Sequence, residues 1–241
     1  MIKKLFASAL FAGLAAAVVA TLLQLWLVFP LIQEAELYET GALVHFGGAA
    51  ETAAEHDHSA HDHATDGHDM AAGEFETQRH MLTFFMNFVV YAGFAFVMGA
   101  VVSALGKNDE TLSLRDGLLW GIAGFVAAHL APSVGLPPEL PGTPAADIVA
   151  RQLWWGGTII ATAIALGLFA YGKTAVLMAI GVVLILAPHI IGAPHLSEHF
   201  GMAPPELAAL FSARSLAVGA AVWLTLGMVF ANVWSRTNTN S

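Results

Sequence analysis

Long apolar runs separated by short polar interruptions dominate this chain, and their positions predict its elements. Six apolar spans can be read, at about 5–30, 81–105, 116–135, 153–171, 174–193 and 207–234. An α-helix rises about 1.5 Å per residue, so about 20 apolar residues cross a hydrocarbon core of roughly 30 Å. The expected fold is therefore all-α, a polytopic integral membrane helix bundle of about six transmembrane helices. The interruptions divide it into an anchor helix over 1–30, a long polar loop over 31–80, a five-helix membrane bundle over 81–234 and a tail over 235–241. The first span follows Lys3 and Lys4 as a secretory signal would, but its apolar run of about 25 residues exceeds the roughly 7–15 of a signal core. It continues into Trp26 and Pro30 without a convincing cleavage site, and so reads as a retained anchor.

Orientation follows from where Lys and Arg fall, because cytoplasmic loops collect them. With the N-terminus inside, the cytoplasmic segments hold Lys3, Lys4, Lys107, Arg115, Lys173 and Arg236, and the outer ones only Arg79 and Arg151. Both termini are expected in the cytoplasm. The 31–80 loop is then the large outer one, with smaller outer loops at 136–152 and 194–206.

Composition agrees with the pattern. Hydrophobic residues make up 57% of the chain and charged ones 11%, against about 25% charged in ordinary soluble domains. There is no cysteine, which excludes disulfides, iron–sulfur clusters and thiolate zinc sites. The net charge of −9 belongs to one segment: residues 31–80 hold eleven acids against the single base Arg79. That acidity points to a cation as ligand. No basic stripe exists to meet phosphates, so nucleic acid is not an expected partner.

On this topology all eleven histidines fall in the outer half. His45, His56, His58, His61, His63, His68 and His80 lie in the first outer loop, and His195 and His199 in the last. His129 lies late in the third span and His189 near the outer end of the fifth. The run Glu55-His56-Asp57-His58-Ser59-Ala60-His61-Asp62-His63 is a doubled His-Asp-His unit, followed by Asp66, His68 and Asp69. Neutral imidazole and carboxylate together suit Co²⁺, Ni²⁺, Zn²⁺ or Cu²⁺. The tract is too poor in apolar residues to fold alone, so 51–72 is expected to be a disordered, metal-gathering segment. The bland alternative is a solvated linker. His195-Leu196-Ser197-Glu198-His199 matches the H-x-x-E-H pattern of inverted zinc peptidases, but it lies in a short loop between Pro194 and Pro204 rather than on a rigid helix. A surface pair of metal ligands or plain loop polarity fits it better.

Polar residues inside the spans are costly and therefore informative. Gln24, Asn87, His129, His189 and Arg214 are the main ones. His129 and His189 each lie beside a helix-breaking proline, Pro132 and Pro188, whose missing N–H frees a carbonyl. Arg214 cannot ligate a metal when protonated, and either pairs with a carboxylate or caps freed carbonyls. Small residues such as Gly117 and Gly121 let helix backbones approach closely.

Several stretches match a known family. They are Gln33-Glu34-Ala35-Glu36-Leu37-Tyr38-Glu39, Gly121-Ile122-Ala123-Gly124-Phe125 leading to His129-Leu130-Ala131-Pro132, and Gly135-Leu136-Pro137-Pro138-Glu139-Leu140-Pro141-Gly142. Arg151-Gln152 and Ala187-Pro188-His189-Ile190-Ile191-Gly192-Ala193-Pro194 complete the set. Over nearly its full length the chain resembles the CbtA family of predicted cobalt transporter subunits. The resemblance implies an inner-membrane protein of cobalt supply for cobalamin synthesis, with a small single-span partner, CbtB.

The expected function is uptake of a divalent transition metal from outside. The substrate is Co²⁺, with Ni²⁺ or Zn²⁺ as the alternatives, and no tightly bound cofactor is expected. The residues expected to handle it are His56, Asp57, His58, His61, Asp62, His63 and His68 as gatherers and Glu34, Glu36, Glu39, His195 and His199 as an acidic vestibule. His129 and His189 are expected at the outer end of the membrane pathway. Two other classes stand beside this: a metal-binding accessory or sensor subunit that does not transport, and an intramembrane metallopeptidase.

Overall fold

The computed structural model describes residues 2–44, 68–105, 111–197 and 201–239, with backbone only over 68–76 and 238–239. All regular structure among them is helical, and six helices follow one another. They are α1 (Ile2–Glu39), α2 (His68–Ala104), α3 (Leu114–Phe125, carried on through Val126–Leu130 and Ala131–Ser133), α4 (Ile148–Tyr171), α5 (Ala175–Ile191) and α6 (Pro205–Thr239). In α1, α2, α4 and α6 the apolar length suffices to cross a membrane, and α5 is a shorter apolar helix of 17 residues. The chain is a helical membrane bundle.

Helix ends differ from the apolar runs in two places. The first helix does not stop at Pro30. A proline has no N–H to give and its ring crowds the carbonyl four residues back, yet here the preceding turn, Gln24–Val28, opens to π spacing and Phe29 N–H donates to the Gln24 carbonyl. The helix then resumes to Glu39, so Gln33–Glu39 is helical rather than loop. The second helix has a helical backbone from His68, ahead of its apolar run. Residues 45–67, which hold most of the gathering tract, lie outside the described residues.

Packing rests on small residues. α1 buries Ala9, Ala12, Ala16 and Ala20, and a Cβ added at Gly13 would fall 2.6 Å from Ala92 Cα of α2. α3 lies on α6 through Gly117 and Gly121, where an added Cβ would meet the Gly227 carbonyl oxygen at 2.6 Å and the Trp223 carbonyl oxygen at 2.5 Å. The small-residue pair read from sequence is thus a real crossing, since only glycine lets these backbones touch. Gly121→Leu should force α3 off α6. The expected cost is about 1–3 kcal/mol, read as a lower melting temperature of the detergent-solubilised protein.

The two ends of the bundle are chemically distinct. One carries Glu34, Glu36 and Glu39 with the 134–147 and 192–204 connections, and is called the acidic end below. At the other, Ser235 Oγ accepts from Leu112 N–H at 2.8 Å and donates to its carbonyl at 2.7 Å. There Lys4 Nζ also lies 4.1 Å from the centroid of the Trp234 ring.

Candidate functional site

Two of the six helices are broken near the acidic end, each just ahead of a proline. In α1 the π turn Gln24–Val28 precedes Pro30, and in α3 the π turn Val126–Leu130 precedes Pro132, with Ala131 N–H donating to the Val126 carbonyl. Both turns face one cavity of about 390 Å³ between α1, α2, α3 and α6. Gln24, Arg79, His80, Thr83, Tyr91, His129 and Ser215 give it polar groups, and Val28, Phe29 and Phe211 an apolar wall. A π turn adds backbone width that a regular helix cannot offer, which is why such turns concentrate at functional places.

Gln24, His129 and the first π turn are held from behind. Asn87 Nδ2 donates to Gln24 Oε1 at 2.8 Å and to Thr21 Oγ1 at 3.0 Å, tying α2 to α1. Arg214 of α6 donates to the Leu27 carbonyl at 3.0 Å. Of its two possible partners, a carboxylate or a freed carbonyl, it takes the carbonyl, inside the very turn that the π spacing distorts. Trp223 Nε1–H donates to His129 Nδ1 at 3.0 Å. A neutral imidazole whose Nδ1 accepts must carry its proton on Nε2, so the resting His129 presents an N–H rather than a lone pair. Trp223 itself has room because residue 124 is glycine: an added Cβ there would overlap the indole. Phe94 and Phe125 complete the ring of aromatic neighbours.

The mouth is charged. Arg79 donates to Glu36 Oε1 at 3.4 Å and lies 4.8 Å from the centroid of the Phe29 ring, with His80 edge-on to the same ring at 5.6 Å. Glu39 lies against Gly142, whose φ of +74° suits the turn it makes. Glu34, Glu36 and Glu39 are all exposed on the helix, and none of them lines the cavity.

The other expected site residues are elsewhere. His189 sits edge-on to Trp154 at 5.9 Å, and Trp154 Nε1 donates to the Pro188 carbonyl at 3.0 Å, so that carbonyl is occupied. His129 packs on Phe94, Phe125 and Trp223, and His189 on Trp154. His195 lines a second cavity, of about 340 Å³, beside Arg151 and Glu139, which pair at 2.6 Å. Among the described residues no three His, Asp or Glu side chains cluster closely enough to hold an ion. The residues His56, Asp57, His58, His61, Asp62, His63 and His199, with the side chain of His68, fall outside the described set. Reading by sequence passed over Trp223 and Arg79 and left His80 among the loop histidines. The signal for His80 was available, since it stands at the start of an apolar helical run.

Fold and cavity together define a polytopic helical membrane protein with a polar chamber at one end. The chain belongs to the CbtA family: the family model, described as a probable cobalt transporter subunit, matches residues 2–235. It is thus a member of a family of transporter subunits, not of enzymes, and the metallopeptidase alternative falls. No curated protein and no solved structure matches the chain.

Proposed function

We propose that this chain takes Co²⁺ from the outer side of the bacterial inner membrane and passes it inward through the cavity between α1, α2, α3 and α6. Both termini are cytoplasmic in this reading, so the acidic end faces out. The His-Asp tract within 51–72 gathers the ion, Glu34, Glu36 and Glu39 with His195 and His199 draw it to the rim, and His80 and His129 meet it in the chamber. His189 on α5 stands near the outer end of the pathway in this reading. A small single-span partner of the CbtB kind completes the transporter, and the imported metal supplies cobalamin synthesis. The observation that carries the reading is the pair of π turns opening onto one polar chamber. Broken helices at membrane depth are tolerated only where they are packed in protein or line such a space.

Cobalt uptake by cells carrying the chain, with and without its partner subunit, tests this. Uptake that depends on the chain supports it, whereas binding without uptake in both strains favours the accessory-subunit reading. Removing 51–72 should weaken uptake at scarce metal and leave it nearly intact at high metal, because a gathering tract raises local concentration without forming the passage. Loss at every concentration would make the tract the obligatory site instead.

A further inference from the structure

We propose that the metal occupies the chamber as a carboxylate complex, the carboxylate arriving with the ion. This rests on the reading of the chamber as the metal's way in, and it follows from which groups face that space. Arg79 is permanently charged and has only donors to offer. Gln24 has one acceptor site of its amide oxygen used by Asn87, and its two N–H groups are donors. His129, whose Nδ1 accepts from Trp223, carries its proton on Nε2 as a neutral ring. None of the described residues lining the chamber is acidic. Glu36 reaches Arg79 but stays on the exposed helix surface.

A bare dication entering here would exchange its water shell for a guanidinium and the neutral groups of Gln24, His80, Thr83, Tyr91, His129 and Ser215, with no carboxylate among them to balance its charge. Its desolvation would go uncompensated, since charge at membrane depth needs an opposite charge or good ligands. A complex with a small hydroxy- or amino-carboxylate carries its negative charge with it. Its outer oxygens suit this lining, because N–H groups bonded to carboxylate oxygens are the stronger, charge-assisted kind. Arg79 at the mouth takes one carboxylate in a two-pronged bond after releasing Glu36, and Gln24 and His129 meet the other face. Arg79 acts as the specificity-determining residue and the acids outside serve the rim.

The test uses the full chain in lipid nanodiscs, dialysed to equilibrium against labelled cobalt and labelled citrate together and each alone. The expected result is citrate retained only when cobalt is present, with retention weakened about 10-fold or more in Arg79→Gln and weakened less in Arg79→Lys, which keeps the charge but not the fork. Cobalt held by the His-Asp tract does not respond to Arg79 and so separates from this component. Retention of citrate without cobalt, or of a cobalt–citrate pair indifferent to Arg79→Gln, would overturn the proposal. If cobalt is not retained in any form, the metal reading of the chamber fails first and this inference with it.

Discussion

Replacing His129 with alanine should abolish cobalt uptake at every external concentration while the protein still reaches the membrane in normal amount. The imidazole occupies the widened turn of α3, where the chamber meets the aromatic packing of Phe94, Phe125 and Trp223. Anything passing inward meets it, so raising the metal concentration cannot compensate for its loss. Trp223→Phe gives the sharper test. It retains a ring against Gly124 but removes the N–H that fixes His129 Nδ1, leaving the imidazole free to change tautomer and rotate. Uptake should fall by about 10- to 100-fold, the range seen when an orienting hydrogen bond to a working histidine is lost. His189→Ala should give a partial loss that adds to, rather than couples with, changes at His129, because His189 packs on Trp154 and His129 is fixed by Trp223. Strong coupling between them would mean that they close on one ion in a state other than this one.

Arg214→Leu should lower the melting temperature of the purified protein by about 3–10 °C, corresponding to about 1–3 kcal/mol. Two terms oppose each other. Leucine removes a guanidinium from membrane depth, which is favourable. It also strips the Leu27 carbonyl of the donor that reaches it at 3.0 Å, within a turn already widened by π spacing. We expect the second term to win, since the carbonyl lies part-buried in a widened turn, whereas a long arginine moderates its own cost by stretching toward water. Arg214→Lys keeps one donor and should lose less. An unchanged melting temperature in both variants would reduce the contact to an incidental one.

Much of the fold was legible because it rests on apolar length, which a membrane reads the same way everywhere along the chain. Six helices, four of them long and apolar enough to cross a membrane, follow from that rule, and the Gly117–Gly121 crossing follows from the close approach that small residues allow. The π turns were not legible: five residues at wider spacing leave no period to detect, and Pro30 looked like an end. Arg214 had no readable partner because a backbone carbonyl 187 residues away carries no sequence signature. His129 and His189 looked equivalent, each beside a proline. What distinguishes them is Trp223, which reads as one more apolar residue until its N–H is seen to face an imidazole. The acids were legible as a charge but not as a surface, since helix phase puts Glu34, Glu36 and Glu39 outside the chamber.

That phase has a further meaning. A π turn is, in register, an α-helix with one residue inserted, and each α-helical residue turns the chain by about 100°. The buried stripe of α1 runs through Ala9, Ala12, Ala16 and Ala20 and resumes at Val28, Leu31 and Ala35, a gap set by the insertion. Deleting one residue between 24 and 28 would let the turn close to regular α spacing, leaving Ala20 and Val28 seven residues apart and still on one face. Glu36 would stay opposite Arg79 while the widened backbone at the chamber wall disappeared. A deletion ahead of Gln24 has no such slack to absorb it, and would rotate the last three turns by about 100°, carrying Glu36 away from Arg79. The widened turn is thus a register-neutral insert, one that can be lost without moving the charges that guard the entrance.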